Sequence, residues 1–225
     1  EDKIGYIRLT VFQETTPADL SAALVKLKKE VIDGLILDLR NNPGGLLDIA
    51  VKATENFLAA GKTVVSTKGR EGQQSVVFKS RGGDAAYLSW PMVVLINEGS
   101  ASGSEILAGA LQDNKRAIIL GTKSFGKGSV QTVIPLPDGA ALRLTTSKYF
   151  TPSNRSIQGE GIVPDVIVEE KKEPEATDKE KGIKAEEIFE KIEKKEPALV
   201  PGEKKDRTYR DDIQIMRAID LLKGI

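Results

Sequence analysis

The chain has 225 residues, 40% of them hydrophobic, which is enough to build the core of one large domain or of a domain with an appendage. It carries 33 Lys and Arg against 33 Asp and Glu, so its formal charge is zero and the basic footprint of a nucleic-acid-binding protein is missing. Cysteine and histidine are both absent, which excludes disulfides, thiolate nucleophiles and Ser-His-Asp triads and argues against a zinc site. Any hydrolytic chemistry therefore needs a base other than histidine.

Strand and helix patterns alternate in the first part of the chain. Hydrophobic spacing and turn residues predict a strand at 4–9, a helix whose start is marked by residues 15–17 and whose apolar stripe repeats until Gly34, and a strand at 35–39. They also predict a helix at 47–58 stopped by Gly61, a hairpin at 64–66 and 75–78, and a flexible loop at 81–84. A turn with two glycines, Gly44 and Gly45, separates the second strand from the second helix. Strand, glycine turn and helix in this order are typical of a parallel α/β unit.

The middle of the chain repeats that unit. The apolar run at 92–96 predicts a strand that is covered on both faces. A small-residue elbow with Ser100, Ser102 and Ser104 leads into an amphipathic helix, and 117–120 is the next buried strand. The order β-α-β-hairpin-β-α-β predicts an α/β sheet with right-handed crossovers.

The remainder of the chain is rich in strands and then changes composition. The sequence predicts a hairpin over 129–149 with its turn at 137–139, a Gly- and Pro-rich loop at 154–165, a short strand at 166–168, a Lys- and Glu-rich linker with a weak helix at 169–208, and a terminal amphipathic helix within 209–225. We therefore expect a core domain at 1–168, a linker at 169–208 and a C-terminal helix at 209–225 that packs on the core or on a partner. The longest apolar runs are about six residues, short of the roughly twenty that a membrane-spanning helix needs.

Three turns are expected at the carboxyl edge of the sheet, where parallel sheets bind their ligands. They bring together Gly44 and Gly45, the three serines of the elbow, and the segment 122–127. Free N–H groups at a helix start, a hydroxyl and an amine are the parts for acyl transfer by a serine nucleophile, a lysine base and an oxyanion hole. Each part also has a simpler interpretation, since one serine can cap the helix and the glycines can form a helix-entry turn.

Lys127 is the preferred base. It lies between two glycines, in a turn whose own sequence contains no carboxylate, whereas Lys123 is nearer the strand end and is expected to be solvated. If the chain is extended beyond this turn, Lys127, Ser129 and Gln131 share one face, which places Gln131 to hold the amine. A lysine base has to be neutral, so its pKa must lie well below about 10.4. The alternative is that Gly-Lys-Gly is an exposed hairpin tip.

Four motifs in these segments resemble the C-terminal processing peptidases, also called tail-specific proteases. They are Asp-Leu-Arg-Asn-Asn-Pro-Gly-Gly at 38–45, Asn-Glu-Gly-Ser-Ala-Ser-Gly-Ser-Glu at 97–105, Gly-Thr-Lys-Ser-Phe-Gly-Lys-Gly at 121–128 with Gln131, and Gly-Ile-Val-Pro-Asp at 161–165. The resemblance covers roughly Ile4 to Val168. It implies the fold of that family, a crotonase-like α/β spiral, with a strand-rich second half and a helical C-terminal appendage here.

The resemblance also implies a role for individual residues. In that family the nucleophile is the serine of the Ser-Ala-Ser elbow that lies 25 residues before the lysine, which selects Ser102 and Lys127. By the same match, Gly45 and Gly103 are the oxyanion-hole donors and Gln131 is the residue that supports the lysine. Glu105 occupies a further position of the motif. Position 103 is glycine where the family commonly has alanine, which should keep the N–H but loosen the helix start.

The functional expectations follow from the same resemblance. It implies a serine endopeptidase, without cofactor or metal, that cleaves protein or peptide substrates with extended C-termini outside the cytoplasm: in the periplasm, the cell envelope or the thylakoid lumen. A PDZ domain normally precedes this core in the family; no matching carboxylate-binding loop is found, and the chain begins where that domain would end. A homo-oligomer formed through the C-terminal segment is a further expectation. Two other classes stay open: an inactive or unassembled peptide-binding scaffold of the same fold, and a crotonase-type acyl-CoA enzyme, which the Ser-to-Lys spacing disfavours.

Overall fold

The computed structural model describes residues 3–69, 75–135, 140–170 and 209–224. Its elements are β1 (Ile4–Arg8), α1 (Thr16–Glu30), β2 (Gly34–Asp38), α2 (Leu47–Glu55), β3 (Thr63–Gly69), β4 (Val76–Lys79), α3 (Ala85–Ser89), β5 (Met92–Ile96), α4 (Gly103–Asp113), β6 (Ile118–Gly121), β7 (Ser129–Pro135), β8 (Ala141–Phe150), β9 (Val166–Ile167) and α5 (Ile213–Lys223). A short 3₁₀ turn, Tyr209–Asp211, precedes α5.

Five parallel strands form the main sheet, in the order β1-β2-β5-β6-β9. The α/β class predicted from the sequence is thereby confirmed. Strands β2 and β5 are buried at every position, because helices cover both faces of the sheet and apolar residues therefore follow one another without alternation. Leu37 and Val94 point into the larger core with residues of α1, α2 and α4, and successive residues alternate between the two faces.

The C-terminal helix α5 covers the second face of this sheet. Its buried residues Ala218 and Leu222 pack in a cluster with Ile36, Val93 and Leu95 from β2 and β5. An amphipathic helix of this length is stable only when its apolar stripe is buried against another surface. The sheet supplies that surface within the same chain.

Four antiparallel strands form a second sheet, in the order β4-β3-β8-β7. Both predicted hairpins are confirmed, since β3 pairs with β4 and β7 pairs with β8. The turn predicted at 137–139 lies outside the described residues. Because β7 begins at Ser129, shortly after Lys127, the edge of the second sheet adjoins the loop that follows β6.

Helix ends differ from the expectations. Helix α1 ends at Glu30 and does not reach Gly34, because Val31 adopts a left-handed conformation, φ 52°, and the chain turns so that Ile32 enters the core. The stripe predicted to continue to Leu58 is helical only as far as Glu55. Hydrophobic spacing indicates which residues are buried and not which backbone groups form helical hydrogen bonds. The apolar pattern therefore extends beyond the last residue of each helix.

One short helix was not predicted. The flexible loop expected at 81–84 leads directly into α3, whose start is capped by Asp84 because its carboxylate accepts the N–H of Ala86 at 2.8 Å.

The proposed division into 1–168, 169–208 and 209–225 stays a prediction, and the part of the linker at 171–208 lies outside the described residues. No helix in the described ranges combines the length and apolarity needed to cross a bilayer.

Candidate active site

Three loops meet at the carboxyl edge of the parallel sheet. Strands β2, β5 and β6 are neighbours and run in the same direction, so the segments after Asp38, Ile96 and Gly121 leave the sheet side by side. The N–H of Phe125 donates to the carbonyl of Ser100 at 3.0 Å, which joins the third loop to the second. The convergence predicted from the sequence is confirmed at this edge.

Ser102 lies at the sharp junction between β5 and α4. Its backbone has φ 50° and ψ −109°, a combination that costs a non-glycine residue strain and persists only where the surroundings hold it. The residue is 9% exposed. As the N-cap of α4 it stands next to the first N–H groups of the helix, where the positive end of the helix dipole lies.

The other two serines of the elbow are tied to the backbone of the glycine loop. Ser100 Oγ donates to the carbonyl of Leu39 at 2.8 Å, and Ser104 Oγ donates to the carbonyl of Asn42 at 2.9 Å. Both side chains are fully buried, and each has used its single hydroxyl proton. Sequence reasoning from the residues left the three serines equivalent, and these partners separate Ser102 from the other two.

The loop with Gly44 and Gly45 is pressed against the serine elbow. A Cβ on Gly44, φ 98°, would lie 2.8 Å from Cβ of Ser102 and 2.7 Å from the backbone nitrogen of Gly103. A Cβ on Gly45, φ 146°, would lie 2.0 Å from the carbonyl oxygen of Phe12. Both positions therefore need glycine, for backbone conformation and for space.

Two backbone N–H groups remain available beside Ser102. Within the described part of the chain, neither the N–H of Gly45 nor that of Gly103 is donated to a protein acceptor. Gly103 opens α4, and the first N–H groups of a helix have no partner inside it. The bridge between Phe12 and Gly45 uses the carbonyl of Gly44 and the N–H of Leu46, so the N–H of Gly45 lies outside it. Two such donors next to a hydroxyl can stabilise an oxyanion.

Glu105 joins the serine elbow to the lysine loop. Its Oε2 accepts the backbone N–H groups of Ser102 and Lys127, both at 2.8 Å. Its Oε1 accepts the hydroxyl of Ser124 and the N–H of Gly126, both at 2.6 Å. The residue is fully buried, and burial raises the pKa of its carboxyl group above the ordinary value, against the lowering effect of the four hydrogen bonds.

The sequence of the lysine turn contains no carboxylate, but the fold brings one to its backbone. Glu105 belongs to α4 and reaches the backbone of Lys127 only in the folded chain, so the sequence around the lysine contained no sign of it. Lys127 is partly buried and Lys123 is exposed. Gln131 and Ser129 lie in β7, with Gln131 exposed, whereas Lys127 precedes the strand. Strand alternation therefore does not determine how Lys127 faces Gln131, and the supporting role of Gln131 stays a prediction.

The buried ion pair between Arg40 and Asp38, which precedes the glycine loop, was not predicted from the sequence. Arg40 donates to both oxygens of Asp38, from Nε at 3.0 Å and from Nη2 at 2.7 Å, and the hydroxyl of Tyr6 donates to the same carboxylate at 2.7 Å. Burial alone would raise the pKa of Asp38, but the hydrogen bonds and charge of Arg40 outweigh it and hold that pKa below its usual value. The signal that could have found the pair was a carboxylate inside an apolar strand pattern, since buried charges are paired.

The set of groups at this edge suits acyl transfer. It comprises a serine at a strained elbow, two backbone N–H groups without a protein acceptor in the described part of the chain, and a lysine loop attached to the same helix through Glu105. Among the described residues, no group of three or more His, Cys, Asp or Glu side chains could hold a metal ion.

Comparisons of the sequence identify relatives. Residues 3–168 match the family model described as Peptidase family S41. The carboxy-terminal-processing protease of Bartonella bacilliformis is 45% identical over 236 residues, which covers 100% of this chain and 53% of that protein. The chloroplastic carboxyl-terminal-processing peptidase 3 of Arabidopsis thaliana is 46% identical over 164 residues, which covers 73% of this chain and 31% of that protein. The chain therefore spans about half or less of the length of these relatives.

Solved structures with the same fold are also similar. The photosystem II D1 C-terminal processing protease superposes with a TM-score of 0.69 at 38% identity, over 74% of this chain and 42% of that chain. A structure from Bacteroides fragilis described as an S41 protease superposes with a TM-score of 0.67 over 99% of this chain and 55% of that chain. Its identity is 16%, so this second likeness concerns the fold alone.

Proposed function

Since the chain belongs to peptidase family S41, we propose that it is a serine endopeptidase that cleaves C-terminal segments of protein substrates with a Ser102/Lys127 dyad. The junction of three loops supports this proposal, because Glu105 binds the backbone of both residues at one end of the sheet. The names of the relatives, which refer to processing of carboxyl termini, support the choice of substrate.

In the proposed reaction Ser102 Oγ attacks the scissile carbonyl carbon, and Nζ of Lys127, neutral in the resting enzyme, takes the hydroxyl proton. The carbonyl oxygen becomes an oxyanion that accepts the N–H groups of Gly45 and Gly103. Lys127 gives the proton to the departing amine, which leaves an acyl ester on Ser102. A water molecule then attacks this ester while Lys127 takes its proton; as the bond to Oγ breaks, Lys127 returns that proton to Oγ, which restores the serine hydroxyl and releases the acid product.

The charge of the Lys127 amine decides the pH dependence in this proposal. Because catalysis needs the neutral form, activity should rise with pH beyond the range in which a histidine base, with a pKa near about 6.5, would already be saturated. Gln131 is proposed to orient the amine.

The experiment compares the chain with Ser102→Ala, Lys127→Ala and Lys127→Arg. Cleavage of an unstructured peptide should disappear in all three variants without loss of the folded state, which thermal melts report. A serine-directed covalent reagent should label wild-type Ser102 but not Lys127→Arg at neutral pH, because arginine stays protonated. Turnover by Ser102→Ala, or normal acylation by Lys127→Arg at neutral pH, would contradict the mechanism. Gln131→Ala should weaken cleavage without removing it.

The same measurements separate the other classes of function. Reversible peptide binding by the wild-type chain without labelling of Ser102 would indicate a scaffold, and affinity for coenzyme A would indicate an acyl-CoA enzyme. We further propose that the protein acts outside the cytoplasm together with a PDZ domain, and that copies associate through the C-terminal segment. Activity with and without an added PDZ domain, and sedimentation of the chain, test these two points.

A further inference from the structure

Asp212 and Gln214, at the start of α5, hold the guanidinium group of Arg40. Nη1 of Arg40 donates to Oδ2 of Asp212 at 2.8 Å and to Oε1 of Gln214 at 2.9 Å. The side-chain nitrogen Nε2 of Gln214 donates in turn to the carbonyl of Val168, just after β9, at 2.6 Å. Gln214 is 0% exposed and Arg40 is 8% exposed. Removal of either acceptor would therefore leave a charged donor unsatisfied in a buried site.

Arg40 leads directly into the loop that presents Gly45. The next residue, Asn41, has a left-handed φ of 57°, and its N–H donates to Oδ1 of Asn97 at 2.8 Å. Asn42 follows, and its side-chain oxygen accepts the N–H of Gly44 at 2.8 Å. Hydrogen bonds therefore fix the conformation of the loop. Arg40 connects the start of the loop to Asp38 at the end of β2 and to Asp212 of the C-terminal segment.

Polar and apolar contacts of α5 depend on each other. One oxygen of Asp212 accepts the N–H groups of Gln214 and Ile215 and so caps the helix, while the other pairs with Arg40. The apolar stripe of the same helix covers the sheet through Ala218 and Leu222. If α5 leaves the sheet, Arg40 keeps Asp38 but loses Asp212 and Gln214 at once, and if Asp212 loses Arg40, the helix start loses one of its attachments.

We propose that Asp212 and Gln214 are positioning residues: docking of α5 orients Arg40 and, through it, the strand end that presents the N–H of Gly45. The catalytic part of this inference rests on the proposed function. Oxyanion donors act only within a narrow range of distance from the developing charge, so a small displacement of the loop lowers the rate. The C-terminal helix, whose apolar stripe covers the second face of the sheet, thereby acts on the proposed active site at the edge of that sheet.

The test is the double variant Asp212→Asn/Gln214→Met in the full chain. Asparagine caps helices as well as aspartate does, so the substitution removes the ion pair and keeps the cap, and methionine keeps the volume of glutamine. We expect kcat on a peptide to fall by about tenfold to a hundredfold while KM changes less than about twofold. Amide hydrogen exchange of residues 41–45 should become faster. The control is Asp220→Asn, which breaks an exposed pair with Arg217 on the same helix and should change neither quantity.

Each outcome decides a separate point. Unchanged exchange and unchanged kcat in the folded double variant overturn the inference. Faster exchange with unchanged kcat overturns the positioning role. If the wild-type chain neither cleaves peptide nor reacts with the serine-directed reagent, the proposed function fails, and the exchange rates still decide whether α5 holds the loop. Should the double variant not fold, Asp212→Asn alone is measured in the same way.

Discussion

The backbone N–H groups of Ser102 and Lys127, 25 positions apart in the sequence, donate to the same oxygen of Glu105, each at 2.8 Å. One buried carboxylate therefore sets the spacing between the backbone of the proposed nucleophile and that of the proposed base. The other oxygen is occupied by Ser124 and Gly126. The whole hydrogen-bonding capacity of the carboxylate is thus directed at the serine elbow and the lysine loop.

Replacement of Glu105 by glutamine keeps the shape of the side chain and turns one acceptor oxygen into an NH₂ donor that faces other donors. We expect kcat to fall by about tenfold to a hundredfold. The free energy of unfolding should fall by about 1–3 kcal/mol, because at least one buried donor loses its acceptor. Steady-state kinetics and urea unfolding measure the two effects. Glu98→Gln is the control, since Glu98 is exposed and accepts the hydroxyl of Thr122 at 3.1 Å; equal kcat in the two variants would contradict the role of Glu105.

The raised pKa of Glu105 predicts a specific pH dependence. As the pH falls, this carboxyl is protonated above the ordinary glutamate value of about 4.3, and an O–H then faces donors, so kcat should already decline above that pH. At a pH between the pKa of this carboxyl in the unfolded chain and its higher pKa in the folded protein, the folded protein binds more protons than the unfolded chain. The contribution of this group to the free energy of unfolding therefore falls as the pH rises through that window. The free energy of unfolding of wild type and of Glu105→Gln, measured against pH across this window, tests the sign of the dependence. If the two curves run parallel, Glu105 does not titrate in this way.

Substitution of Gly44 by alanine separates backbone strain from steric contact with the elbow. Gly61 is the matched control, because it has φ 81° and an added Cβ there meets nothing within 4 Å. Gly61→Ala should cost about 1–2 kcal/mol from the left-handed conformation alone. Gly44→Ala should cost more and should stop acylation, since its Cβ would press on Ser102 and on the N–H end of Gly103. Urea unfolding measures the change in the free energy of unfolding, and the rate of labelling by the serine reagent measures acylation. Labelling of Gly44→Ala at the wild-type rate would show that the contact is not needed.

The three serines of the elbow should respond differently to alanine. Ser100→Ala and Ser104→Ala remove donors to the buried carbonyls of Leu39 and Asn42. Each should lower the free energy of unfolding by about 1–3 kcal/mol and slow acylation without abolishing it. Ser102→Ala should abolish acylation with little loss of stability. Covalent labelling followed by mass spectrometry, together with unfolding curves, distinguishes the cases, and a stable Ser104→Ala that no longer labels would move the nucleophile to position 104.

Local sequence determined the elements and their order. The apolar run at 92–96 predicted a strand covered on both faces, and β5 is one, because burial on both sides removes any need for polar alternation. The glycines at 44 and 45 predicted a turn between strand and helix, and the chain turns there with positive φ at both residues. Adjacent parallel strands then required the loops after them to meet at one edge. Fold class, loop convergence and the candidate residues could therefore be predicted from short-range patterns and ordered motifs.

Tertiary structure alone decided which partners these residues have. Glu105 reached the lysine loop, and Arg40 reached Asp212, across 22 and 172 positions of sequence. Such contacts depend on the directions in which loops leave the sheet and on single backbone angles such as φ 50° at Ser102. Hydrophobic periodicity carries no information about either, because it reports only which face of an element is buried. The sequence therefore determined where the chain is strand, helix or turn, and the packing of distant segments decided which hydroxyls, amides and carboxylates bind one another.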